Sequence, residues 1–233
     1  MKKTIQISPA RRGFMRDVVA IAPAAIALGS SVASSTIVRA ATSHAQYQPS
    51  YFNASEWNAL NALVDRLIPA DETGPGAIEA GVAEFIDKQM DTPYGHGALW
   101  YMQGPFAKNA SPLKGYQLPF APRDLYRHAL NGLDKATRDA HGKVFAELDE
   151  STKDALVGQL EHGKLAIGDV PPADFFALLL QNTHEGYFCD PKHGGNKNMA
   201  AWKMIDFPGA RADYMDQVEQ YGVRYPLPPV SIG

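Results

Sequence analysis

The chain has 233 residues, of which 45% are hydrophobic, 20% charged and 10% aromatic, so it can bury a globular core. This composition argues against a disordered or fibrous protein. Its 22 Lys and Arg against 25 Asp and Glu give a net charge of -3, which argues against nucleic-acid binding through phosphate contacts. The single cysteine, Cys189, excludes an internal disulfide framework and a cysteine-rich zinc or iron–sulfur site formed by this chain alone.

The first forty residues have the layout of an export signal. A basic stretch over residues 1–16 precedes an apolar run over 18–38 that is rich in Ala, Ser and Gly and contains Pro23. This run is too weakly hydrophobic for a good membrane span, which needs about 20 strongly apolar residues. We predict a signal peptide over residues 1–40 with cleavage after Ala40, and cleavage after Ala45 is the alternative.

Two adjacent arginines suggest the export route. Arg11 and Arg12, followed by Phe14 and the basic Arg16, resemble the twin-arginine export motif. An ordinary secretory leader with a chance arginine pair is the alternative. We therefore expect the twin-arginine machinery to export the chain, already folded, to the periplasm.

Removal of residues 1–40 changes the charge of the chain. It takes away six basic residues and one acidic residue, which leaves 16 Lys and Arg against 24 Asp and Glu and a net charge of -8. An exported thiol meets oxidants, so we expect Cys189 to be buried or to pair with another chain.

The first half of the mature chain predicts two helices and a loop. After a linker over residues 41–52, apolar residues spaced three and four apart predict a helix from Trp57 to Ile68, which Pro69 stops. The same spacing predicts a second helix over 78–90. Residues 94–122 are rich in Gly, Pro and aromatic side chains without a helical period, so we predict a long ordered loop there.

Two further helices follow this loop. Pro122 suits the first position of a third helix, whose pattern continues as far as Leu148. A fourth helix is predicted from Ser151 to His162 because polar residues with N-terminal spacing precede a short apolar pattern.

The fifth helix is expected at the centre of the fold. It begins at Pro171–Pro172, and the residues over 175–180 are apolar on nearly all sides, which is typical of the most buried helix. Short helical segments over 199–205 and 210–221 complete a predicted helical domain spanning 53–221.

Few segments have the alternating pattern of β-strands, so we predict an all-α protein, a single irregular domain of about six or seven helices. The tail over 222–233 cannot be helical, because Pro226, Pro228 and Pro229 remove backbone donors and favour an extended backbone. A frayed terminus and a docking arm both fit this tail.

Common cofactor motifs are missing from the sequence. It contains no Gly-x-Gly-x-x-Gly, no Cys-x-x-Cys-His, no His-Glu-x-x-His, no Gly-x-Ser-x-Gly and no phosphate-binding loop. We therefore expect no cofactor in this chain and expect any redox cofactor to belong to a partner that travels with it.

The densest polar segment, over residues 183–196, has two interpretations. His184, Glu185, Asp190 and His193 could ligate a metal, but adjacent residues point about 100° apart on a helix, which disfavours this site. His184, Glu185 and His193 could also serve as acid–base groups of a stand-alone periplasmic enzyme.

The structural interpretation places the end of the fifth helix in this segment. It makes Gly186 the helix C-cap and Asp190–Pro191 a turn. Residues 194–196, Gly-Gly-Asn, would then adopt a positive φ.

The same segment carries a family resemblance. Residues 185–191 (Glu-Gly-Tyr-Phe-Cys-Asp-Pro), 194–196, 202–205 (Trp-Lys-Met-Ile) and 207–211 (Phe-Pro-Gly-Ala-Arg) resemble the signature of the gluconate 2-dehydrogenase subunit 3 family. The leader and the early helix that ends in Leu67-Ile68-Pro69-Ala70-Asp71 are similar to this family as well.

The resemblance implies a non-catalytic small (gamma) subunit of a periplasmic, membrane-associated dehydrogenase. In such a complex a large subunit binds FAD and oxidises gluconate, and a multihaem cytochrome c subunit passes the electrons to quinone. The small subunit carries the export signal and escorts the large one. A related polyol, fructose, glucose or 2-ketogluconate dehydrogenase is the alternative complex.

Partner contacts are expected in three parts of the chain. The aromatic loop over 94–122 and the tail offer aromatic side chains, which are enriched at protein interfaces. The resemblance adds the residues of the motif as a partner interface, and these are Glu185, Gly186, Asp190, Pro191, Gly194, Gly195, Asn196, Trp202, Pro208 and Gly209.

Overall fold

A computed structural model describes residues 47–107 and 111–233. The predicted export signal, with Arg11, Arg12, Phe14 and the cleavage site at Ala40, lies outside these residues. In the described part the chain forms short 3₁₀ turns and six α-helices, which are α1 (Ala54–Leu67), α2 (Val82–Met90), α3 (Pro122–His141), α4 (Glu150–Glu161), α5 (Pro172–Phe188) and α6 (Ala200–Met204). No strand occurs in these ranges, so the all-α prediction is confirmed.

Local sequence signals set the helix ends. At the start of α1 the Asn53 side chain accepts a hydrogen bond from the Glu56 amide at 3.0 Å. The Glu56 carboxylate in turn accepts the Asn53 amide at 3.1 Å, which completes a capping box. Helix α3 ends at His141 because Gly142 adopts a left-handed conformation with φ 71°, so the predicted extension to Leu148 is wrong.

Helix α5 lies at the centre of the fold. It packs against α1, α2, α3, α4 and α6, as its apolar sequence predicts. Phe175 and Leu179 are fully buried, whereas Gln181, His184 and Glu185 are exposed. The predicted central position of α5 is therefore confirmed, and its C-terminal half keeps a polar stripe in solvent.

The end of the predicted linker lies against the domain. Tyr51 and Phe52 are buried, and the residues before them bond to the carboxylate of Asp87 on α2, which is itself fully buried. Burial and the hydrogen bond to Asp87 raise the pKa of the Tyr47 phenol. The helical domain thus begins before residue 53.

The predicted tail is extended and packs on the domain. The Ala210 amide donates to the Val230 carbonyl at 2.8 Å, and the Val230 amide donates to Pro208 at 3.2 Å. The segment predicted as helical over 210–221 forms a 3₁₀ helix over Ala212–Gln217. None of the helices in the described ranges has the length and apolar character needed to cross a membrane.

Candidate functional site

Asn196 is the centre of the segment that carries the family resemblance. It is fully buried, its side-chain amide donates to the Cys189 carbonyl at 2.9 Å, and its side-chain oxygen accepts the Ala201 amide at 2.9 Å. Its backbone amide donates to the Gly186 carbonyl at 3.0 Å, with φ at 43°. One asparagine therefore ties the end of α5 to the start of α6.

The glycines beside Asn196 allow the chain to pass close to α5. Gly194 and Gly195 are buried, and Gly194 has φ 102°, so the predicted positive φ is confirmed for Gly194 and Asn196. A methyl group at Gly195 would overlap the Gly186 carbonyl oxygen and lie 2.9 Å from the Cys189 sulfur. This turn therefore has no room for a side chain.

The end of α5 differs from the prediction. The helix continues to Phe188, so Gly186 is not its C-cap. Gly186 lies within the helix, where α5 passes close to α2. A Cβ at this position would come within 2.8 Å of the Phe85 ring, which explains the glycine. The indole nitrogen of Trp202 donates to the Phe188 carbonyl at 2.8 Å and satisfies one of the free carbonyls at the helix end.

Asp190 holds the C-terminal residues of the chain. Its carboxylate accepts the Ser231 hydroxyl at 2.6 Å and the Ile232 amide at 2.9 Å. Pro208 and Gly209 contact the same tail through Val230. The end of the tail is therefore held on the domain and is not frayed, and docking of the tail on a partner stays a prediction.

The residues predicted as a partner interface therefore differ in accessibility. One is exposed, Glu185, and four are half-buried, namely Asp190, Pro191, Pro208 and Gly209. The remaining five are buried and connect helices, namely Gly186, Gly194, Gly195, Asn196 and Trp202. Partner contact through this set stays a prediction.

The alternative metal site does not form. Across residues 47–107 and 111–233, no group of three His, Cys, Asp or Glu side chains is placed to hold a metal ion. The Glu185 carboxylate instead accepts hydrogen bonds from Gln181 at 2.8 Å and Asn182 at 2.9 Å. The Asp190 carboxylate accepts hydrogen bonds from the tail. Both carboxylates therefore bind groups of this chain.

Cys189 is half-buried at the end of α5. Its thiol lies 3.4 Å from the Gly186 carbonyl, to which it donates. Burial raises the pKa of this thiol, which lowers the fraction of reactive thiolate. Cys189 is thus partly shielded within this chain, and its pairing with another chain stays a prediction.

A buried asparagine anchors the aromatic loop, and sequence reasoning missed it. The Asn182 side-chain oxygen accepts the hydroxyls of Tyr126 at 3.0 Å and Tyr94 at 3.2 Å. Tyr94 packs edge-on against Trp100, which contacts Tyr116 with ring centroids 4.6 Å apart. The only sequence signal was an asparagine within an apolar helix, a position that needs hydrogen-bond partners.

Among the surface grooves of the described residues, two contain several aromatic side chains. A groove of about 340 Å³ is lined by the aromatic loop, including Trp100 and Tyr116. A larger groove of about 630 Å³ runs between Trp202 and Phe207 on one side and residues 225–229 on the other. Both are lined largely by aromatic or proline side chains, which suits protein contact better than binding of a small polar substrate.

Acid is expected to release the tail. Burial works to raise the pKa of Asp190, but hydrogen bonds from Ser231, Ile232 and Lys192 outweigh it and leave this pKa below its ordinary value. A carboxyl group with a lowered folded-state pKa stabilises the fold above its ordinary pKa of about 4, and the effect is lost as the pH falls through the lowered value. Hydrogen exchange should show protection of the Ile232 amide falling below about pH 4.

The matched control for this titration is Asp190→Asn. This variant cannot ionise at residue 190, so its Ile232 amide should have weak protection at every pH. Full protection of Ile232 in the variant would show that another contact holds the tail.

Comparisons with known proteins agree with the motif. The family model described as gluconate 2-dehydrogenase subunit 3 matches residues 54–209. No curated protein and no solved structure matches the chain. The matched range begins at the first residue of α1 and contains the six α-helices of the described residues. It also contains the segment over residues 185–196 and ends before the tail over 222–233.

Proposed function

This chain belongs to the gluconate 2-dehydrogenase subunit 3 family, and we propose that it is the non-catalytic small subunit that escorts and stabilises the catalytic subunit of a gluconate dehydrogenase. Family membership makes it a subunit of a multi-subunit gluconate dehydrogenase complex. The observation that carries the proposal is the family match over residues 54–209, which contain the six α-helices of the described residues.

The proposed division of labour gives the chemistry to the partners. The large subunit binds FAD and oxidises the sugar acid, and a multihaem cytochrome c subunit accepts the electrons. In support, the polar side chains of the motif segment are engaged in contacts that join helices and fix the tail. The two aromatic grooves leave this chain with surfaces suited to a protein partner.

The proposed location is the periplasm, at the cytoplasmic membrane through the complex. Arg11, Arg12 and Phe14 would direct the chain to the twin-arginine machinery, which transports folded proteins. A flavin subunit without a leader of its own would cross with this chain as a preformed complex.

Replacement of the arginine pair tests the escort. In cells that express the full chain with its catalytic subunit, Arg11→Lys with Arg12→Lys should lower the periplasmic amount of both proteins at least about tenfold. Immunoblots of cell fractions and flavin absorbance would measure this. Lys2→Arg with Lys3→Arg is the matched control, and it should leave export unchanged.

Two results would contradict the proposal. One is normal periplasmic arrival of the flavin subunit when the arginine-pair variant stays in the cytoplasm. The other is turnover of gluconate by the purified chain without any partner.

A further inference from the structure

The C-terminal arm, defined as residues 210–233, exposes an unusual amount of apolar surface. Eight of the fifteen exposed large hydrophobic side chains in the described ranges lie in this arm, which is about a tenth of the chain. Tyr221 is 91% exposed, Met215 73% and Val223 61%. Concentrated apolar exposure of this kind is rare on a monomer and marks an interaction site.

Polar contacts within the arm order its backbone, and a further contact fixes its end to the domain. Arg211 donates to the Pro228 carbonyl at 2.7 Å, and the Tyr225 hydroxyl donates to Asp213 at 2.7 Å. At its end the arm is fixed by the bonds of Ser231 to Asp190. The arm is therefore a preformed surface, which saves ordering entropy when a partner binds.

A groove beside the arm can receive a partner side chain. The groove has a volume of about 630 Å³ and is lined by Trp202 and Phe207 of the domain and by residues 225–229 of the arm. Three charged residues, Lys203, Asp206 and Arg224, also line it, and Arg224 is paired with Asp206 at 2.8 Å. Apolar pockets with polar rims of this kind receive the anchor residues of protein interfaces.

Charge favours a protein over a membrane as the occupant. The arm carries two arginines against three carboxylates, which are Asp213, Asp216 and Glu219. Anionic lipid surfaces attract segments with an excess of Lys and Arg over acidic residues, and this arm has no such excess.

We propose that the C-terminal arm docks onto the catalytic subunit, a proposal that rests on the function proposed above. Membership in a family of complex subunits supplies a partner able to cover the exposed apolar side chains. The family match ends at residue 209, so the arm adds contact surface beyond the part that the match covers.

Two charge substitutions on the arm test the proposal. Met215→Asp with Tyr221→Asp should weaken the complex at least about tenfold, measured by dissociation of the purified complex on dilution. Ile78→Asp, at an exposed apolar residue outside the arm, is the matched control and should change the affinity less than about twofold. Circular dichroism would verify that each variant is folded.

A second variant tests the arm without touching its apolar side chains. Asp190→Asn weakens the contact with Ser231 and Ile232, so it should also weaken the complex if the ordered arm is the docking surface. Unchanged affinity of the folded Met215→Asp, Tyr221→Asp variant overturns the proposal.

Other occupants would give different results. If the arm substitutions abolish dimerisation of the chain, or its binding to phosphatidylglycerol vesicles, and leave the catalytic subunit bound, the arm proposal is overturned and the proposed function stands. If the unmodified chain does not bind the catalytic subunit at all, the proposed function itself fails.

Discussion

Replacement of Asp87 with alanine is expected to lower the free energy of unfolding by about 4 kcal/mol. The buried carboxylate of Asp87 accepts the backbone amides of Ser50 at 2.7 Å, Tyr51 at 3.1 Å and Phe52 at 3.0 Å. It also accepts the hydroxyls of Tyr47 at 2.7 Å and Ser50 at 3.0 Å. Alanine would leave these donors unpaired beside the buried rings of Tyr51 and Phe52, which is costly.

Asp91, one helical turn further along the chain, provides the matched control. Its carboxylate is exposed and accepts the Ser50 hydroxyl at 2.9 Å. Asp91→Ala should therefore cost less than about 1 kcal/mol. Urea unfolding of the purified variants, followed by circular dichroism, measures both values, and equal losses would show that Asp87 does not hold residues 47–52.

The position of the Asp87 contact has a consequence for export. It fixes residues 47–52, the end of the linker that follows the predicted leader, and it joins residues 35 to 40 positions apart in the chain. If export requires a folded chain, a weakened Asp87 contact would reduce export as well as stability. Stability and export should thus fall together in Asp87→Ala.

The helices could be predicted from the sequence because their signals are local. Apolar spacing, Pro69 and Pro122 indicated α1 and the start of α3 within a few residues. The end of α3 was missed because the apolar pattern continues beyond Gly142, whose left-handed backbone stops the helix. The role of residues 47–52 could not be predicted, since the carboxylate that holds them, Asp87, is 35 to 40 positions away in the sequence.

The turn of the candidate site could be predicted from the sequence, but its hydrogen bonds to α6 and to the arm could not. Its glycines and Asn196 indicated positive φ, which Gly194 and Asn196 adopt and Gly195 does not. The bonds from Asn196 to α6 and from Asp190 to the arm depend on packing between distant segments. Gly186 was assigned to a helix end because glycine favours that position. In the structure it lies within α5, and the close approach of the Phe85 ring explains why a glycine is found there.

Gly195→Ala is expected to lower the free energy of unfolding by about 3 kcal/mol. The new methyl group would overlap the Gly186 carbonyl oxygen, which is backbone and cannot rotate away. Relief requires the turn to move from α5, and that movement breaks the hydrogen bond from the Asn196 amide to the same carbonyl. The expected loss therefore combines overpacking with a broken buried hydrogen bond.

Gly158→Ala separates crowding at Gly195 from the general effect of replacing a glycine. Gly158 lies within α4, and a Cβ there meets no neighbouring atom within 4 Å. Because alanine has the higher helix propensity, this control should raise the free energy of unfolding by up to about 1 kcal/mol. Thermal and urea unfolding of both variants provide the comparison. If Gly195→Ala were as stable as the unmodified chain, the turn would have room for a side chain, and the connection between α5 and α6 would not depend on glycine.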